Sequence, residues 1–209
     1  MVKIVALSGS PRAGATEYAL QEALKSIEEP GKIEVEFLTI RGKKISPCVG
    51  CDYCKKNKTW CVIKDDFKEL FDKILEADAV ILGSPVYVFG AVPQITAFFS
   101  RMRPAHHTCP GILNNKLGVS IAVGGTRNGG QEMTVNTLNN LMLSRGFNIV
   151  SNVTGGYIGA FIWSKDQKAA GSQADELGMK GVISLVKKLA ETAYIYKSGK
   201  EYLEGRGEL

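Results

Sequence analysis

Two hydrophobic periods take turns along this chain, and that alternation limits the fold more than any other feature. Val2–Leu7 is an apolar run broken only by Lys3, and Ser8-Gly9-Ser10-Pro11 stops it. Leu20, Ala23, Leu24 and Ile27 then recur at helical spacing until Pro30-Gly31. Ile33–Ile40 reads as a second strand, Ala79–Gly83 as a third, Leu117–Val123 as a fourth and Phe147–Val150 as a fifth. Helical patterns fall between them. Phe67, Leu70, Phe71, Ile74 and Leu75 follow an expected capping box of Asp66 and Glu69. Ile95, Phe98, Phe99 and Met102 follow Pro93, and a helix near Gln131–Arg145 ends at Gly146. Val182, Leu185, Val186, Leu189 and Ala193 mark a long final helix, while Gly155–Trp163 is apolar but too glycine-rich to assign. This order predicts an α/β fold, a doubly wound five-stranded parallel sheet with helices on both faces.

No repeat, low-complexity tract or linker divides the 209 residues, so a single domain is expected, with a cysteine-rich loop at 41–64. Apolar runs such as Ala79–Leu82 are strand-sized, and Val2–Leu7 is too short for a signal peptide's core. A cytoplasmic protein without membrane attachment is the expectation. Lys and Arg are scattered, with no aromatic-basic repeat, which argues against a nucleic-acid partner. The net charge of +5 is mild and serves solubility or an anionic partner such as an acidic electron carrier.

In a sheet of this kind ligands sit beyond the carboxyl ends of the strands, where strand order reverses. The loop after the first strand offers the hydroxyls of Ser8, Ser10 and Thr16, the guanidinium of Arg12 and, around Pro11 and Ala15, amides at a helix N-terminus. That set suits a phosphate dianion. No Lys follows Gly14, and the dinucleotide glycine fingerprint is absent, which disfavours a nucleoside triphosphate or a tightly held dinucleotide. Pro85, Val86, Tyr87, Phe89 and Gly90 combine backbone donors with rings able to flank an isoalloxazine. Gly124, Gly125, Thr126, Arg127, Gly130 and Gln131 form a third loop whose glycines admit close backbone approach.

Four of the five cysteines fall within fourteen residues: Cys48, Cys51, Cys54 and Cys61, spaced C-x2-C-x2-C-x6-C. In a reducing compartment such a group points to metal rather than disulfides. Three closely spaced thiolates wrap one face of an iron–sulfur cubane and a fourth closes it. Zinc, and free or redox-active thiols, remain the alternatives. Gly50 permits tight wrapping. Cys109, beside His106 and His107, stands apart and reads as an incidental surface loop. No Ser-His-Asp set or H-E-x-x-H motif argues for hydrolysis, and no side chain is assigned a catalytic role.

Ser8–Thr16, Ser84–Gly90 and Gly124–Glu132 resemble the flavin loops of the NADPH-dependent FMN reductase superfamily, which has the flavodoxin-like fold. With the cysteine run added, the chain resembles the archaeal iron–sulfur flavoproteins over nearly its whole length, to about Val186. The resemblance implies FMN, one 4Fe–4S cluster and a homodimer or homotetramer. The first functional reading is an electron-transfer flavoprotein moving electrons from ferredoxin to a small-molecule acceptor. A second is an NAD(P)H-dependent FMN or quinone reductase without a cluster, and a third is a cluster-based redox sensor or carrier. An oligomer is also expected because Tyr53, Trp60, Ile112 and Leu113 sit in long loops that a monomer would leave partly exposed.

Overall fold

The computed structural model describes residues 1–153 and 157–208. Strand β1 (Val2–Ser8) leads through helix α1 (Ala15–Lys25) to β2 (Ile33–Thr39); the cysteine segment follows and carries only the short helix α2 (Tyr53–Asn57). Next come α3 (Phe67–Glu76), β3 (Ala79–Pro85), α4 (Pro93–Arg101), α5 (Arg103–Thr108) and β4 (Leu117–Gly124). The chain ends with α6 (Gln131–Leu143), β5 (Asn148–Ile149), β6 (Ala160–Trp163), α7 (Lys168–Ala174) and the long α8 (Glu176–Gly205). The strands are parallel in the order β2-β1-β3-β4-β5, with β6 also paired to β4.

Period two explains why the central strands are apolar throughout. Ile4, Ala6 and Ile81 turn to one face of the sheet, where α1 and α8 bring Leu20, Ala23, Val182, Leu185 and Leu189. Val5, Leu7, Val80 and Leu82 turn to the other, under Phe67, Phe71, Phe98, Leu138 and Met142. A strand covered on both sides has no solvent face to keep polar. Among the described residues no helix is long and apolar enough to cross a membrane.

The fifth strand position is split. Asn148–Ile149 pairs with Leu117–Gly118 and Ala160–Trp163 with Ile121–Gly124, so two short pieces share one lane beside β4. Within the segment that composition left unassigned, the second piece is therefore strand; Gly155 and Gly156 lie outside the described residues.

Two local expectations are corrected. Asp66 does not cap α3 with its side chain. Asp65 Oδ1 instead accepts from the Phe67 amide at 3.2 Å, Asp66 Oδ2 accepts from the Lys44 amide at 2.6 Å, and Glu69 pairs with Lys43 at 2.6 Å. The capping box is lost because both acidic groups have partners in the cysteine segment. Leu113 is buried in the core below α4, not exposed, and Trp60 packs edge-on to Phe71 at 5.9 Å; Tyr53 and Ile112 are exposed as expected.

Candidate functional site

Because β1, β3 and β4 lie side by side and parallel, their carboxyl ends open at one sheet edge, and the three loops read as ligand-binding meet there. Ser10, Arg12, Ala15, Thr16, Pro85, Val86, Tyr87 and Gly125 line one cleft. Ser164, Asp166 and Lys168 complete it from the segment after β6. Sequence reasoning missed these three because it left the preceding strand unassigned. Its own rule, that ligands gather after strand ends, would have found them once β6 was placed.

In the first loop the side chains mostly hold the backbone. Ser8 Oγ accepts from the Ser10 amide at 3.3 Å, and Ser10 Oγ donates to the Arg12 carbonyl at 2.6 Å. Pro11 and Arg12 are exposed, while Thr16 is buried in the first turn of α1. No side chain caps α1, so its first amides are left for an anion. Glu17, also in that turn, accepts from Thr39 Oγ1 at 2.7 Å and from Arg41 Nε at 3.0 Å. Its charge is thereby compensated by Arg41.

The second loop ends in a tight tip. Tyr87 and Gly90 exchange two amide–carbonyl hydrogen bonds of 2.9 Å, with Val88 at φ 48° and Phe89 at φ 60° between them. Left-handed backbone at a β-branched residue is uncommon and costs energy. Val88 stands almost wholly in solvent, while Phe89 leans on the third loop. A Cβ at Gly130 would lie 2.9 Å from Phe89 Cδ1, and the φ of +103° there favours glycine independently.

In the third loop Gln131 is buried, and its amide is spent internally. Nε2 donates to the Thr126 carbonyl at 2.7 Å, and Oε1 accepts from the Gly129 amide at 2.8 Å. Arg127 lies over the Trp163 ring at 4.6 Å. Arg127 and Gln131 face a separate cavity of about 650 Å³ beside β6 and α8. Of this loop, Gly125 alone lines the cleft; Gly124, Thr126 and Gly130, like Phe89 and Gly90, flank it.

The cysteine segment forms the second centre. Cys48, Cys51, Cys54 and Cys61 line one cavity with Arg101 and Arg103, and Cys109 lies in a different one beside Met102 and His106. Three left-handed positions make the wrapping possible: Gly50 at φ 66°, Asp52 at φ 57° and Lys58 at φ 47°. The Cys48 amide donates to Ser100 Oγ at 3.0 Å, and the Gly50 amide donates to Cys48 Sγ at 3.5 Å.

The loop is clipped at its base by a buried ion pair. Arg101 Nη1 reaches Asp65 Oδ2 at 2.8 Å and Nη2 reaches Oδ1 at 3.2 Å, with 1% and 2% of the two side chains exposed. The same guanidinium donates to the Ser46 carbonyl at 3.0 Å and the Ile63 carbonyl at 3.1 Å, so one residue holds both ends of the loop. Burial alone would raise the Asp65 carboxyl, yet the Arg101 fork and the amides of Ser46 and Phe67 hold it below its usual range. Neither residue was singled out from sequence. The available signal was a charge at Arg101 on the apolar face of α4, three residues past Phe98.

Among the described residues no three His, Cys, Asp or Glu side chains stand grouped around a single-ion position. A cubane asks for something else: each thiolate binds its own iron, so its four sulfurs stand farther apart than the ligands of one ion. Four cysteines around one cavity, with an N–H already aimed at a sulfur, fit that demand.

The sequence matches the family described as NADPH-dependent FMN reductase over residues 2–157. An iron–sulfur flavoprotein of Archaeoglobus fulgidus is 43% identical over 189 residues, covering 90% of this chain and 95% of its own. One from Methanocaldococcus jannaschii is 37% identical over 86% of this chain and 90% of its own, and one from Methanosarcina thermophila is 31% identical over 96% and 100%. Among solved structures, a WrbA-like flavodoxin from Agrobacterium tumefaciens superposes with a TM-score of 0.64 at 16% identity, over 92% of this chain and 98% of that one. FerB, a flavoenzyme NAD(P)H:(acceptor) oxidoreductase from Paracoccus denitrificans, gives 0.66 at 19%, over 92% and 97%. At such identities these two establish the flavodoxin-like architecture alone.

Proposed function

Because the chain belongs to the NADPH-dependent FMN reductase family and groups there with the iron–sulfur flavoproteins, we propose that it is an electron-transfer protein holding FMN in the three-loop cleft and one 4Fe–4S cluster on Cys48, Cys51, Cys54 and Cys61. That it is a flavin-dependent oxidoreductase follows from the family. The observation that carries the finer reading is the convergence of all four cysteines on one cavity while the fifth lies elsewhere. FMN exchanges electrons singly or in pairs and a cluster singly, so the pair of cofactors supplies the chemistry.

The chain's own residues bind and orient. The uncapped amides of α1 and the exposed Arg12 receive the FMN phosphate, with Thr16 closing the buried side. Pro85, Val86 and Tyr87 present backbone and a ring to the isoalloxazine, and Gly125 keeps the opposite wall low. Exposed Lys55, Lys56, Lys58 and Lys64 surround the cysteines and suit an acidic one-electron donor of the ferredoxin kind. Val49, Tyr53 and Val62 leave an apolar rim beside Cys51, which fits covering by a second copy in a homodimer or homotetramer.

The family match itself supports one second reading, a reductase driven by NAD(P)H whose thiols hold no metal. The two separate by donor. Under anaerobic conditions reduced ferredoxin bleaches the flavin of the loaded protein faster than NADPH does; bleaching by NADPH alone would establish the second reading instead. Arg12→Ala weakens FMN binding by about 1.5 kcal/mol, the low end for a charge-assisted hydrogen bond because the side chain is solvated. Fluorescence titration with FMN checks it, and an unchanged affinity removes Arg12 from the phosphate site.

A further inference from the structure

Two arginines share the cysteine cavity, and neither is a ligand. Arg101 is fully buried, and four contacts occupy its terminal nitrogens, but Nε is buried with no hydrogen-bond partner. A buried N–H without an acceptor is costly, and Cys61 is the group on the same cavity that its charge interacts with. Arg103 opens α5 and contacts Asp52 Oδ1 at 2.5 Å; Cys48 and Cys54 also lie within its field. Two cations thus stand beside the set of thiolates, and Asp65 and Asp52 are the carboxylates paired with them among the described residues.

We propose that Arg101 and Arg103 are positioning residues that set the reduction potential of the bound cluster by presenting positive charge and N–H donors to its cysteine sulfurs. The inference rests on the cluster reading above. Reduction adds one negative charge to the cluster, so a nearby cation favours the reduced form and raises the potential. Hydrogen bonds to the sulfurs act in the same direction by withdrawing charge from them. Asp52 opposes the effect, because its carboxylate screens Arg103 from the sulfurs.

Redox titration of the reconstituted protein, followed by electron paramagnetic resonance, tests this without any turnover assay. In Arg103→Gln the ratio of reduced to oxidised cluster at a fixed potential falls about tenfold, a shift of about 59 mV for a one-electron couple. In Asp52→Asn the same ratio rises, and in Arg103→Lys it stays near wild type. Opposite signs from two partners of one ion pair are what charge predicts and loosened packing does not. If Arg103→Gln fails to hold iron, the Asn and Lys variants carry the comparison alone. Iron-loaded variants that match wild type, or that all shift one way, overturn the proposal and leave the cluster reading standing. A wild-type protein that takes up no iron overturns both.

Discussion

Replacing Asp65 by Ala destabilises the protein by about 3–5 kcal/mol, the range for stripping one partner from a buried ion pair. The variant leaves the Arg101 charge in a site where 1% of its side chain sees solvent. It also removes the acceptor for the amides of Ser46 and Phe67. Its effect reaches the cysteines because Arg101 ties the Ser46 and Ile63 carbonyls, one before Cys48 and one after Cys61. Asp65→Asn, of equal size, suffers a comparable loss, since the charge is what Arg101 lacks. The pair also fixes the sign of the acid response. A carboxyl held below its ordinary value of 3.8 contributes stability that is complete above that value and is lost as pH falls through the depressed one. Urea unfolding at neutral pH and near pH 3 therefore shows the gap between wild type and Asp65→Asn narrowing in acid. A loss below about 1 kcal/mol at neutral pH would reduce the pair to the rank of a surface salt bridge.

The second large effect concerns the ligand set. Cys61→Ser loses most of its iron after anaerobic reconstitution, whereas Cys109→Ser keeps it. In a cubane each iron has one protein ligand, so removing any thiolate exposes an iron to solvent. Cys48, Cys51 and Cys54 follow the same rule as Cys61, because all four line one cavity. Cys109 lies beside Met102, His106 and Arg145 instead. The flavin bands persist in every one of these variants, since the cleft that would hold FMN is built from other loops. Iron retained by Cys61→Ser and lost by Cys109→Ser reverses the assignment.

The sequence made the central layer legible for a simple reason. β1, β3 and β4 are buried on both faces, so each is a continuous apolar run bounded by turn residues, and the loops after them follow by topology. The edge was harder to read. β5 was read within Phe147–Val150, of which Asn148–Ile149 is strand, but β6 has four residues, too few to show a period of its own. Losing β6 meant losing the Ser164–Lys168 wall of the cleft behind it. Helix α7 (Lys168–Ala174) was invisible because KAAGSQA has no apolar stripe; contacts with α1 hold it in place. Cysteine spacing identified the four residues of the second centre but not its support. Arg101 and Asp65 are 36 positions apart, and only the packing of α4 over the loop brings them together. The capping box failed for a related reason: the local pattern of Asp66 and Glu69 was overridden by the Lys44 amide and the Lys43 ammonium arriving from the cysteine segment.

The central claim is that FMN and a 4Fe–4S cluster are held on separate loops of one chain. Metal and flavin analysis of anaerobically reconstituted wild-type protein tests it most directly, with mass identification of the released flavin. The account predicts FMN together with about four irons per flavin, as one cubane requires. A protein that releases FAD, or that holds FMN and no iron under those conditions, contradicts it.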